Sequence, residues 1–270
     1  MEITVVGTGN MGSAFIRRAH MQGFKVYMWN RDREKARGLP GVAIDKLEEA
    51  RGLAAIFVSD DLALRQVARE LGGDYVALCG TYSVGAVREV IEELSSRGKK
   101  AFAMPVVGSP RNVENGDAVY IVGAPEEIYM AVRPTLEKLG VLFYVGDSEK
   151  AAALKLAYNS LLISTVAVLG EALTLATRYG IAPHQLRELM RHTVFREVAE
   201  RYIDRMTSHV KPTFTIKHAA KDLRYASNAA GEGGVGSVVV NGVKSLYELL
   251  TALGFGEEDY VRAGILEGGR

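Results

Sequence analysis

The chain has 270 residues, with 33 Lys and Arg against 32 Asp and Glu, one cysteine and 48% hydrophobic residues. A net charge of +1 leaves no electrostatic footprint for nucleic acid or an anionic membrane surface, so neither is expected as a partner. The lone thiol, Cys79, excludes an internal disulfide framework, no Cys/His cluster has metal-site spacing, and Met1 to Val6 lacks the basic start of a secretion signal. These features favour a cytoplasmic location and no bound metal.

From residue 2 to about 145, short β-branched and aromatic runs alternate with longer charged segments of helical period. Strands are expected at 2–6, 24–28, 53–58, 74–79, 100–104, 119–122 and 141–145, and helices near 10–22, 61–71, 84–97 and 125–139. Runs such as Leu53-Ala54-Ala55-Ile56-Phe57-Val58 are apolar on both faces, which suits a parallel sheet covered by helices on both sides. The first half therefore reads as doubly wound.

Gly7-Thr8-Gly9-Asn10-Met11-Gly12 follows the first strand and opens the first helix. A dinucleotide site needs this order: a tight turn, a close backbone approach to pyrophosphate, close helix-to-strand packing, and a helix N-terminus facing the phosphates. Gly7, Gly9, Asn10, Met11 and Gly12 are candidate cofactor contacts, as are Val58 and Ser59 at the end of the third expected strand. The second strand ends in Asn30-Arg31-Asp32-Arg33-Glu34-Lys35. An NAD site places a carboxylate there for the ribose 2′-hydroxyl, and an NADP site needs cations for the 2′-phosphate. Asn30, Arg31, Arg33 and Lys35 favour NADP(H). NAD(H) stays open, because Asp32 could turn inward as a ribose acceptor.

After Gly146-Asp147 the strand signal ends, and helical pattern continues with breaks at 180–183, 211–212 and 231–236. The cluster Gly231 to Gly236 follows no strand and reads as a turn between helices. The segment 149–179 is apolar nearly all round, which predicts a central helix buried on every side, joining two domains and contributing to a subunit interface. Its stretch Leu161 to Ala176 is interrupted by Glu171 and hydroxyl residues, which argues against a membrane span. Lys155 and Asn159 lie four apart and share one face of that helix. A lysine in apolar surroundings should have a depressed pKa unless paired, and could then act as a proton donor; a structural, ion-paired lysine fits the same spacing. On the expected helix 215–231, His218 reads as an ordinary helix-face histidine.

With these residues in place, the sequence resembles the β-hydroxyacid dehydrogenase family, which includes 3-hydroxyisobutyrate dehydrogenase and glyoxylate and succinic semialdehyde reductases. It also includes the first domain of 6-phosphogluconate dehydrogenase. The glycine turn with Asn-Met-Gly and the later Val-x-x-Trp-Asn-Arg look like the NADP-preferring members. Thr81 falls where the family places a threonine beside the nicotinamide. Residues 103–109 match the substrate loop at Pro105, Val106 and Gly108, so Val106, Val107 and Gly108 are candidate substrate contacts. Gly146 through Asn159 matches the catalytic helix motif, with Lys155 at the catalytic lysine and Asn159 at the final asparagine. Lys221-Asp222-Leu223 matches an element whose lysine reaches the cofactor. Departures are Val107 for a carboxylate-holding serine, Ser109, Glu149 and Ala151 for glycines, and Tyr158 for an asparagine.

The resemblance implies an α/β protein: a Rossmann-type dinucleotide-binding domain over 1–147 and an all-α substrate and dimerisation domain over 148–270. The implied activity is reversible hydride transfer between NADP(H), or NAD(H), and a small β-hydroxyacid, semialdehyde or other aldehyde, with Lys155 as general acid and base. A homodimer or homotetramer is expected. Two alternatives are an imine reductase, disfavoured by Lys155, and a non-catalytic NADP-binding protein, suggested by Val107 and the altered glycines.

Overall fold

The structure, a computed structural model, describes residues 1–208 and 211–266. Two compact units divide the chain, Met1–Lys155 and Leu156–Arg270.

In the first unit the elements run β1 (Ile3–Val6), α1 (Asn10–Met21), β2 (Val26–Trp29), β3 (Val42–Ala43), β4 (Leu53–Ile56), α2 (Asp61–Glu70), β5 (Tyr75–Leu78), α3 (Val84–Ser96) and β6 (Lys100–Ala103). These strands form a parallel six-stranded sheet in the order β3-β2-β1-β4-β5-β6. The chain winds one way from β1 and the other way from β4, so the strand order reverses between them, where open α/β sheets place their ligands. Alternation along the strands sorts side chains into two cores. Ile3, Val5, Leu53 and Ala55 pack with Phe15 and Ile16 of α1, whereas Val6, Ala54 and Ile56 pack with Leu64 of α2 and Val87, Val90 and Leu94 of α3. This is the doubly wound arrangement that the two-sided apolar strands predict.

Next come β7 (Val106–Val107), α4 (Pro110–Asn115), β8 (Val119–Val122), α5 (Glu126–Leu136) and β9 (Val141–Tyr144). They form a second sheet, β7-β8-β9, tied to β6 by a bridge between Ala103 and Gly123. The pieces β3, β7 and α4 were not expected. At two to six residues each, they are too short to show a period.

Helix α6 (Ser148–Arg178) starts in the first unit, where Ala151 and Ala152 join the second core, and continues through the second. There α7 (Pro183–Arg191), α8 (Arg196–Thr207), α9 (Ile216–Glu232), α10 (Val238–Leu250) and α11 (Ala263–Leu266) follow. Their core joins Ile163, Val166 and Leu173 of α6 to Ile203, Leu223 and Tyr247. Buried Asp259 closes this unit: it accepts from Arg205 at 2.6 Å and from the backbone N–H groups of Thr213 and Val261. The glycines after 231 lie in the turn between α9 and α10, as expected.

The single chain does not by itself bury 149–179 on every side. Leu161, Val168 and Leu175 are 69%, 56% and 61% exposed, because the other helices cover only part of α6. By length and composition alone, α6 and residues 238–255 are apolar enough to cross a membrane.

Candidate active site

Gly7 and Gly12 of the first turn each meet a separate steric demand. Gly7 has φ +98°, and a Cβ there would lie 2.5 Å from the Phe57 carbonyl oxygen. A Cβ on Gly12 would sit 1.9 Å from the Gly7 oxygen, so only glycine lets α1 pack this close to the turn. At Gly9 a Cβ would meet no atom within 4 Å, so the space beside it is open to a ligand. Gly9 is also the N-cap of α1 and offers no side-chain acceptor, and the first turn carries no acidic residue. The N–H groups at Asn10, Met11 and Gly12 thus begin a helix whose dipole favours an anion. A dinucleotide pyrophosphate fits this cradle.

At the end of β2, the backbone N–H of Gly7 donates to the Trp29 carbonyl at 2.8 Å. Asn30 donates from Nδ2 to Thr8 Oγ1 at 2.6 Å and accepts the Asp32 N–H at 3.0 Å. The Asp32 carboxylate accepts the Glu34 N–H and caps the short turn Arg33–Ala36. It faces its own turn in place of the inward acceptor position left open by the sequence. Arg33 pairs with Asp45 at 2.9 Å, with both side chains well exposed. Arg31 and Lys35 are exposed and form no ion pair among the described residues.

The loops after β4 and β5 are joined by Ser83, whose N–H and Oγ donate to Asp61 at 3.0 and 2.6 Å. Ser83 also caps α3, which fixes the preceding Thr81 and Tyr82. Half-buried Val58 accepts from the Tyr82 hydroxyl at 3.2 Å, and exposed Ser59 donates to Asp60, the cap of α2. Burial, reinforced by nearby Cys79, raises the Tyr82 hydroxyl well above the usual phenol range.

A small pocket is lined by Leu78, Gly80, Tyr82, Val87, Ala103, Pro105, Ala152 and Lys155. Lys155 is 8% exposed and brings an amine to walls that are mostly apolar apart from Tyr82. Three contacts set the start of α6 and so the height of Lys155. Ser148 Oγ donates to the Gly123 carbonyl at 2.5 Å and accepts the Ala103 N–H at 3.1 Å. Glu149 receives Arg88 of α3 bidentately at 2.8 and 2.5 Å. That hydrogen bonding holds the Glu149 carboxyl below its ordinary pKa. Two of the sequence departures thereby acquire roles: Glu149 anchors the helix, and Ala151 packs where Gly123 leaves room, since a Cβ on Gly123 would lie 2.7 Å from the Ala151 Cβ.

Thr81 sits between two lining residues, whereas Val106, Val107 and Gly108 do not line the pocket. Val106 is buried and Val107 packs partly on the second core. Exposed Gly108 has φ +140° and leads into Ser109, whose hydroxyl is committed to the capping box of α4 with Asn112. No side chain from 106 to 109 points to a carboxylate-binding role.

In the second unit, Asn159 is 6% exposed and donates to Asp222 Oδ2 at 2.6 Å. Lys221 pairs with the other carboxylate oxygen at 3.0 Å and lies over the Tyr225 ring. The sequence singled out Asn159 and Lys221 but missed that Asp222 holds both. His218 contacts Thr215 Oγ1 through Nδ1 at 2.8 Å. Among the described residues no group of three or more His, Cys, Asp or Glu is placed to hold a metal.

Residues 2–146 match a sequence family described as the NAD binding domain of 6-phosphogluconate dehydrogenase. Residues 150–263 match one described as NAD-binding of NADP-dependent 3-hydroxyisobutyrate dehydrogenase. Glyoxylate/succinic semialdehyde reductase 1 of Arabidopsis thaliana is 25% identical over 96% of both chains. The 3-hydroxyisobutyrate dehydrogenase of Pseudomonas aeruginosa is 27% identical over 71% of this chain and 70% of that one. In fold, a solved 3-hydroxyisobutyrate dehydrogenase from Salmonella typhimurium superimposes with a TM-score of 0.85 at 19% identity, over 99% of both chains.

Proposed function

The chain belongs to the β-hydroxyacid dehydrogenase family of NAD(P)-dependent oxidoreductases, and from that premise we propose that it interconverts a small hydroxyacid of the β-hydroxyacid type with its semialdehyde or aldehyde, using NADP(H) and Lys155 as the proton-transfer group. One observation carries the reading: Lys155 is the cationic residue of a small, mostly apolar pocket that also holds Tyr82, at the carboxyl ends of β5 and β6. The dinucleotide, when bound, supplies or accepts the hydride. In reduction the Lys155 ammonium stabilises the negative charge developing on the carbonyl oxygen and gives it a proton; in oxidation the amine takes that proton back. The apolar lining keeps water from competing for the proton and strengthens the interaction with the developing charge.

In this reading residues 1–147 bind the dinucleotide, and 148–270 complete substrate recognition through Asn159 and contact the cofactor through Lys221. The turn at Gly7 to Gly12 takes the pyrophosphate. Arg31 and Lys35, with Asn30 and Arg33, take the 2′-phosphate, which gives the preference for NADP(H) over NAD(H). Carboxylate recognition shifts from the Val107 side chain to the backbone around Gly108 and to Asn159, because valine offers no donor.

A homo-oligomer is part of the proposal. Leu154, Leu161, Val168 and Leu175 repeat every seven residues along α6 and are all exposed, a pattern that suits helix packing against a second copy. Burial of this stripe between copies accounts for its membrane-like composition, and the proposed location is the cytoplasm.

The test is Lys155→Ala, assayed for NADP⁺ reduction with 3-hydroxyisobutyrate, serine, 4-hydroxybutyrate and glycolate, and for NADPH oxidation with the corresponding aldehydes. Turnover should fall by at least about a thousandfold with NADPH affinity within twofold. Retained turnover removes Lys155 from the mechanism. Faster reduction of a cyclic imine than of any aldehyde favours the imine reductase reading.

A further inference from the structure

We propose that Thr8, the residue between the first two glycines of the turn, is a positioning residue for coenzyme choice. It acts through Asn30 to keep the Asp32 carboxylate away from the ribose. The inference rests on the NADP(H) reading above and adds to it a residue outside the group assigned to the 2′-phosphate.

Three hydrogen bonds run in series from the glycine turn to the end of β2. Thr8 Oγ1 accepts from Asn30 Nδ2 at 2.6 Å, Asn30 Oδ1 accepts the Asp32 N–H at 3.0 Å, and Asp32 Oδ1 accepts the Glu34 N–H at 3.2 Å. Thr8 is 5% exposed, and its own carbonyl accepts from Ser13 Oγ at 2.8 Å, so the acceptor at the head of the series belongs to the rigid turn itself. Both ends of the Asn30 amide are used, which fixes its rotamer and the direction of the chain after it.

The consequence is electrostatic. At the end of the second strand, a carboxylate turned inward selects the ribose 2′-hydroxyl and repels a 2′-phosphate. Asp32 occupies that stretch, yet its carboxylate is spent on the N-terminus of the turn Arg33–Ala36. Releasing Asn30 removes the bond that orients the Asp32 backbone, and the carboxylate becomes available to the ribose. A negative charge near Arg31 and Lys35 also weakens their attraction for a phosphate within a Debye length. Valine at position 8 has the shape of threonine without the acceptor, so it breaks the first bond and leaves the glycines unchanged.

Dissociation constants for NADPH and NADH, measured by fluorescence titration of the whole protein, decide the matter. The wild type should bind NADPH at least tenfold more tightly than NADH. Thr8→Val should lower that ratio at least fivefold, through weaker NADPH binding, tighter NADH binding or both, and Thr8→Ser, which keeps the hydroxyl, should stay within twofold of wild type. Asn30→Ala breaks the same bond from the other side. Because Asn30 is itself assigned to the 2′-phosphate, a fall in that variant alone does not separate the two roles; Thr8→Ala, which removes the same acceptor and should lower the ratio similarly, serves if Thr8→Val fails to fold. A ratio in Thr8→Val within twofold of wild type overturns the role of Thr8 and leaves the coenzyme reading standing. An equal fall in Thr8→Ser also overturns it. A wild type that binds NADH more tightly overturns the coenzyme reading and this inference together.

Discussion

Asn159 of α6 donates to Asp222 of α9 at 2.6 Å across 63 residues of sequence, and the same carboxylate pairs with Lys221 at 3.0 Å. Asp222 is 2% exposed. A carboxylate this buried needs compensation for lost hydration, and the amide and the ammonium provide it. It also fixes the orientation of the two side chains to which the family resemblance gives substrate and cofactor contacts.

The first prediction follows from that shared partner. Asp222→Asn and Asn159→Ala should each reduce kcat/KM by ten- to a hundredfold, and the double variant should fall short of the product by about 1–3 kcal/mol of coupling. Steady-state kinetics of the four proteins, with melting temperatures as a folding control, measure it. Strict additivity would show that Asn159 acts independently of Asp222.

The second prediction concerns the exposed stripe of α6. Leu161 and Val168 are seven apart and mostly exposed in the single chain. If a second copy covers them, Leu161→Asp with Val168→Asp buries two uncompensated carboxylates at that contact. The assembly should then dissociate, because an unpaired buried charge costs about 3–5 kcal/mol. Light scattering after gel filtration should give monomer mass for the variant and at least dimer mass for the wild type. A monomeric wild type refutes the oligomer.

The glycine turn, the parallel sheet and the buried helix lysine were legible in the sequence because their constraints are local. Gly7 is demanded by its own positive φ and Gly12 by the Gly7 carbonyl, and Lys155 and Asn159 share a helix face through spacing alone. The rest depends on contacts between distant segments. Nothing within ten residues of Glu149 marks it as the partner of Arg88, 61 residues earlier, so it reads only as a lost glycine. Tyr82 shows no period or motif that would place its ring on the pocket wall. The expected all-round burial of α6 is not met within one chain for a related reason: apolar composition shows that a face seeks cover without saying whether the same chain supplies it. Leu161 and Leu173 look alike in sequence, yet one is 69% exposed and the other 2%.

His218 gives the last prediction. The ring is half-buried, stacked on Phe214 with centroids 6.3 Å apart. Burial foremost, then the charges of Lys221 and Lys217, hold its pKa below the ordinary 6.5, against a smaller opposing pull from Asp222 and Glu257. The folded protein therefore binds fewer protons at this site than the unfolded chain, and folding stability from this residue rises with pH. As the pH falls below about 6.5, the unfolded chain takes up a proton that the folded ring refuses, and stability declines until the folded ring also titrates. Below that point the loss is constant; above neutral pH the residue contributes no slope. His218→Gln keeps a polar partner for Thr215 and removes the titration. Urea midpoints at pH 7.5 and 5.5 should therefore differ less in the variant than in the wild type. An equal difference in both proteins would assign the acid sensitivity to other groups and show that the His218 ring accepts a proton in the fold as easily as in the unfolded chain.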